Sequence, residues 1–290
     1  MLLDTVTSRT LAVRHLGEGL GNRVADLARP GYRLDLITEG EPTRGHNRFG
    51  GGALLEPGTP WPVADGMPLS LLAVLDLAEF TPLLADELPP DADGLLLNFF
   101  HGTLNAADSR GSWEDPALWR VVPAAVTEAV EVSAPDPAAR FLPTPVRPVP
   151  VVTLPDCEEV EVQDLIQGPG SDRFDYDVWV RYSTEMRDLT EEDHRLRWPV
   201  RGGKHQAFGW PWALHSSPTA DARKQFARRT PDIAVPEDWR LLLQLDSDGI
   251  RTDAGFAGWQ WGDMGQLHFT IPCADLRAGV FDRVEAGEQG

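Results

Sequence analysis

The stretch WQWGDMGQLHFTIP, residues 259–272, decides the fold. From Gly265 onward apolar and polar residues alternate: Leu267, Phe269 and Ile271 share one face, Gln266, His268 and Thr270 the other. A period of two predicts a strand with one face on a core. Before it, Gly262 and Gly265 supply the backbone angles of a tight turn, and Asp263 between them is expected to accept hydrogen bonds from the turn amides. Trp259 and Trp261 alternate with Gln260 and are expected to pack on the core. The competing reading stacks a planar ligand on Trp261 beside the Asp263 carboxylate.

Working outward, LSLLAVLDL (69–77), GLLLNFFHG (94–102) and WRLLLQLDSD (239–248) are compact apolar runs of strand length. Residues 5–28 carry Leu11, Leu16, Leu20, Val24 and Leu27 at near-helical spacing, opposed by Gly17, Gly19 and Gly21. A second helix is predicted over 217–229, with Ser217 as N-cap and Pro218 at the first helical position. A third is expected to start at a capping Thr190. Residues 135–155 hold seven prolines, so they are expected to be an extended connector ending in an edge strand near 150–156.

The two halves carry similar punctuation. GTPWP (58–62), then LLAVLDL, then GLLLNFF stand beside FGWPW (208–212), LLLQLDSD and GQLHFTI. In each half a Trp-Pro turn precedes an apolar strand ending in Leu-Asp, and a glycine later opens a strand carrying aromatic residues. The expectation is a single domain over 1–290 of α+β class, internally duplicated. Two mostly antiparallel sheet repeats, about 48–155 and about 156–290, would share one core, with few helices.

In order along the chain, RFGGGALLEPGTPWP, PLSLLAVLDL, GLLLNFF, HQAFGWPWALH, LLLQLDSD and WGDMGQLHFTIPCADLRAGVFDRV resemble the successive motifs of the YwqG-like family, DUF1963. The likeness runs from about Arg48 to Val284. It departs at Val74, where the family's first motif usually has Gln; the second motif keeps Gln244. The resemblance implies a duplicated, mostly antiparallel α+β fold and no established activity. The occurrence of some members beside bacterial toxin systems implies an immunity or partner-binding role.

Composition excludes several classes. Acids outnumber bases 45 to 26, a net charge of −19, and no basic cluster offers a local exception, so nucleic acid is not an expected partner. Cys157 and Cys273 have neither disulfide-framework nor zinc spacing. No signal-peptide pattern opens the chain, and no apolar run approaches the roughly 20 residues of a membrane helix. A cytoplasmic protein is expected. His194, His205 and His215 form no metal-ligand spacing, and a mixed site of His205, Asp246 and Asp263 has no support from spacing, so no metal and no cofactor are expected. FGGG (49–52) lacks the Lys-Ser/Thr of a phosphate loop, DSDG (246–249) lacks the acids of a calcium loop, and there is no GxSxG.

The candidate ligand-binding residues are Trp61, Gln244, Asp246, Trp261 and Asp263. Gln244 and Asp246 share the strand face opposite Leu241, Leu243 and Leu245. Either Asp246 projects into a cleft between repeats, or it accepts backbone N–H groups in an Asx-turn. Six tryptophans between 198 and 261 either line a pocket or fill an aromatic core. The expected function is non-enzymatic binding of a small ligand or a protein partner. The alternative is a hydrolase using Asp246 or Asp263 as general base or cation ligand. A third reading places function in the stretch 103–150.

Overall fold

The computed structural model describes residues 5–37, 40–43, 45–102, 115–167, 176–197, 204–248, 251–252, 255–256 and 259–290. Ten strands make one sheet: β1 (Arg29–Leu36), β2 (Arg48–Phe49), β3 (Ser70–Asp76), β4 (Leu95–His101), β5 (Trp119–Ala125), β6 (Thr144–Thr153), β7 (Gln206–Phe208), β8 (Trp239–Asp246), β9 (Gln266–Pro272) and β10 (Glu285–Gln289). Their spatial order is β10-β9-β8-β7-β1-β6-β2-β3-β4-β5, and every pairing is antiparallel. The fold is therefore α+β with a mostly antiparallel sheet, continuous across both halves.

The sheet curls until its ends nearly meet. Trp119, opening β5, donates its indole N–H to the Val284 carbonyl just before β10, at 2.8 Å. Two bulges help the curl by locally raising the twist. One lies between Leu71 and Ala73 in β3, the other between Leu241 and Leu243 in β8. The skipped residues, Leu72 and Leu242, are fully buried in the barrel interior with Leu75, Leu245, Phe99 and Phe269. Each such side chain contributes about 1.5–3 kcal/mol of transfer free energy. Phe99 and Phe269 meet edge to face across that interior, 5.2 Å between centroids.

β6 is not the short edge strand near 150–156 that its prolines imply. It is a ten-residue central strand, paired with β1 along most of its length and with β2 at Thr144 and Pro145. The Val146 N–H bonds the Asn47 carbonyl on the β2 side. By the strand's alternation, positions 148 and 150 face that same side, where β2 no longer reaches. Pro148 and Pro150 thus lack a donor only where none is needed.

Four longer helices complete the molecule: α1 (Thr5–Asp26), α2 (Val160–Gln167), α3 (Tyr176–Arg197) and α4 (Pro218–Arg229). In α1, Gly17 takes φ 76° and ψ 169° and kinks the helix back on itself. Gly21 then lies so close to Ala12 and Val13 that no side chain fits there. α1, α2 and α3 share their own apolar cluster around Leu11, Val24, Val162, Met186 and Leu189. α4 lays Ala222 and Phe226 against Trp239, and its Ser217 cap accepts from the Ala220 N–H as expected. Thr190 is not a cap. It lies inside α3, where its hydroxyl bonds back to the Met186 and Arg187 carbonyls, an arrangement open to threonine within a helix. Among the described residues no helix is long and apolar enough to cross a membrane. Both cysteines are free and buried.

A Cβ on Gly265 would lie 1.8 Å from the Gln289 carbonyl oxygen, whereas one on Gly94 would meet nothing within 4 Å. Gly265→Ala is therefore expected to destabilise the protein by about 1–3 kcal/mol in urea melts. Gly94→Ala should stay within about 0.5 kcal/mol.

Candidate functional site

The outer face of the second half is built around Gln244. It is fully buried, because the segment after β7 crosses over it. Gln244 Oε1 accepts the Trp212 N–H at 2.9 Å, and His268 Nε2 meets the Trp212 carbonyl at 3.2 Å. Burial pushes the His268 pKa down to about 4, so the ring is neutral and Nε2 carries its proton. Two side chains on adjacent strands thus clamp both backbone groups of one residue. In the first half Asn98 does the same work alone. Its Oδ1 accepts the Leu54 N–H at 2.8 Å, and its Nδ2 donates to the Leu54 carbonyl at 2.7 Å. Val74 stands beside Asn98 in the register, as Gln244 stands beside His268. The departure at Val74 is accommodated because Asn98 supplies both donor and acceptor.

Asp246 ends β8 half-buried. Its Oδ2 accepts the Lys204 N–H at 2.9 Å, from the segment entering β7 and not from its own turn. This replaces the Asx-turn expected from sequence. Its backbone N–H bonds His205 Nδ1 at 3.2 Å, which leaves Nε2 to carry the proton toward Asp248 Oδ2, 3.3 Å away. Trp259 donates its indole N–H to the Asp246 carbonyl at 2.9 Å. The first half repeats part of this pattern. The Asp76 N–H bonds Asn47 Oδ1 at 2.9 Å, and its carboxylate takes the Ala78 N–H and faces His46 Nδ1.

The other candidates do not join this group. Trp261 is 1% exposed, so no planar ligand reaches its faces. Its N–H bonds Ser247 Oγ, and its carbonyl closes the turn onto the Gly265 N–H at 2.7 Å. Asp263 is exposed, and no hydrogen bond ties its carboxylate to the turn amides among the described residues. Gly262 and Met264, with φ of 47° and 62°, carry the turn; Gly265 serves by close approach and not by its angle. Trp61 lies in a different cluster, edge to face with Phe100 at 5.0 Å, its indole bonded to the Leu69 carbonyl. Trp210, Trp239, Trp259 and Trp261 are buried, which favours the aromatic core over a pocket. Trp198 and residues 103–114 of the proposed functional stretch lie outside the described residues. No group of three or more His, Cys, Asp or Glu side chains among the described residues is placed to hold a metal ion.

Two features were not legible in sequence. Glu159 is fully buried ahead of α2, and its Oε2 accepts from Ser217 Oγ at 2.7 Å and Thr219 Oγ1 at 3.0 Å. Burial raises its pKa to about 7 against the relief those hydroxyls give. Nothing in the run DCEE (156–159) separates this acid from solvated ones. With Ser217 also buried and capping α4, the pair is a clasp between α2 and α4, closed to substrate. The second feature is a groove of about 480 Å³ at the barrel seam, lined by Trp119, Arg120, Phe226, Arg229, Ile233 and Arg283 among others. Its arginines come from three separate segments, so no basic run announces them.

The model of one protein family, described as a domain of unknown function, DUF1963, matches residues 47–288. No curated protein matches the chain.

Gln244→Ala strands the buried Trp212 N–H, and a loss of about 1–3 kcal/mol in thermal or urea melts is expected. Glu159 takes its proton more readily in the fold than the ordinary 4.5 of glutamate allows. Its contribution is fully present below about pH 4.5 and lost as pH rises through about 7. Glu159→Gln should therefore gain stability over the parent from pH 5 to pH 8, by up to on the order of 3 kcal/mol, read from urea melts at both pH values.

Proposed function

Because the chain belongs to the DUF1963 family, whose description assigns no activity, we propose from its own geometry that it is a non-enzymatic binding protein. The observation that carries this is the use of Asp246. Its carboxylate holds the Lys204 N–H, and its backbone is held by His205 and Trp259, so the residue best placed for chemistry by sequence serves as a brace. Asp263, the other candidate base, stands in solvent on a turn, and no side chain among the described residues bonds its carboxylate. An immunity protein that captures a toxin is the form of partner binding the family resemblance favours. The net charge of −19 would speed encounter with a basic partner.

The duplication belongs to the same proposal. Four strands step outward from β6 on one side and four from β1 on the other. Gly50 and Gly51 after β2 have φ of 60° and 79°; Phe208 and Gly209 at the end of β7 have 59° and 73°. The bulges and the Asn47–Asp76 and His205–Asp246 contacts fall at matching places. These correspondences support repeats that begin with β1 and with β6, each lending its first strand to the other's half.

The test is a screen of the purified protein against ester, phosphoester and glycoside substrates, with Asp246→Asn and Asp263→Asn beside it. The expected result is no turnover above background and an intact fold for Asp263→Asn. Turnover abolished by either variant, with an unchanged melting curve, would overturn the binding reading in favour of a hydrolase.

A further inference from the structure

The seam groove has a built chemistry of its own. β5 and β10 are the two end strands of the sheet, each with one edge unpaired among the described residues. The Gly102 N–H bonds the Leu118 carbonyl, so alternation turns the N–H and C=O groups of Trp119 and Val121 to the open side. Arg120 Nη1 reaches back to the Trp119 carbonyl at 2.7 Å and the Pro116 carbonyl at 2.6 Å. The guanidinium is thereby fixed at the groove without a carboxylate partner among the described residues, its other N–H groups open.

Across the groove Arg229 sits over the Trp119 ring, 5.7 Å from its centroid, and is paired with Glu285. Its Nη1 is buried and has no hydrogen-bond partner among the described residues. Arg283 lies at the same rim, paired with Asp275. Of the three arginines that line the groove, Glu285 and Asp275 pair two, and Arg120 is held by backbone carbonyls alone among the described residues. The remaining wall is apolar: Phe226 and Phe281 are buried, and Ile233 is 51% exposed. The volume falls within the roughly 300–1,000 Å³ typical of ligand clefts.

We propose that this groove binds an extended acidic segment of a partner protein, which pairs with the open edge of β5 at Val121, sets a carboxylate on Arg120, and lays an apolar side chain against Ile233. An open sheet edge is satisfied by another strand. A guanidinium held by carbonyls, with donors to spare, favours a carboxylate over any neutral group. The assignment rests on the binding reading above and narrows it to a groove where Arg120 has no carboxylate partner among the described residues.

The probe is a fluorescein-labelled hexapeptide of alternating glutamate and leucine, followed by anisotropy with the full chain. The expected result is saturable binding that weakens with salt and falls at least about tenfold in Arg120→Glu and in Ile233→Asp. Both positions are exposed, so melting curves should match the parent. N-methylation of alternate peptide amides should abolish binding if the segment pairs as a strand. Absence of binding by the acidic peptide overturns the assignment. So does equal binding of the lysine-for-glutamate peptide, or an unchanged affinity in Arg120→Glu; none of these touches the binding reading itself. Cleavage of the peptide, seen by mass spectrometry, would overturn that reading instead.

Discussion

Everything else in the molecule hangs on the antiparallel pairing of β1 with β6. The register joins Arg29 to Thr153 and runs without a break to Leu36 and Val146. On their far sides β1 takes β7, and β6 takes β2. Without this joint the ten strands would part into pieces with new open edges, and the barrel interior would lose its closure. The joint is tight. A Cβ on Gly209 would lie 2.6 Å from Thr153 Oγ1, and that hydroxyl both donates to the Arg29 carbonyl and accepts the Trp210 N–H. The pairing also spans more than a hundred positions of sequence, so it must form after a long loop closes. Slow, topology-limited folding follows from that.

How far the sequence could be read depends on where the determining contact lies. β9 was legible from its own residues, because a strict alternation of apolar and polar side chains reports a half-buried strand locally. Its polar face misled in one respect. Gln266, His268 and Thr270 are all buried, since the segment after β7 and α4 cover that face, and covering is a tertiary fact. Ser217 and Pro218 announced α4 because caps are local chemistry. Thr190 failed as a cap for the opposite reason: the helix starts at Tyr176, and threonine tolerates a helix interior by bonding its own preceding turn. The central place of β6 was hidden because proline frequency speaks against sheet interiors. Only the length of β2 shows that its prolines face an open side.

The candidate site was the least legible part. Gln244 and Asp246 were correctly placed on one strand face, but their partners, the backbone groups of Lys204 and Trp212, belong to a different segment. Trp61 and Trp261 shared a residue type and not a location. Glu159 and the arginines of the seam carry no local signature, because an acid or base acquires an unusual environment only from what folds around it.

The comparison of Gln244 with Val74 separates fold from function. If Gln at this motif position were a ligand group, its loss in the first half would leave that half without the interaction. Instead Asn98, on the neighbouring strand, takes over both hydrogen bonds to the crossing segment. In the second half the same task is divided between Gln244 and His268. Both halves have the clamp, with different side chains supplying it. The motif residues that carry the family resemblance therefore report on the clamp and the brace at the ends of β3 and β8. Arg120 and Ile233 have no part in clamp or brace: both face solvent along the seam, beside a strand edge that is unpaired among the described residues.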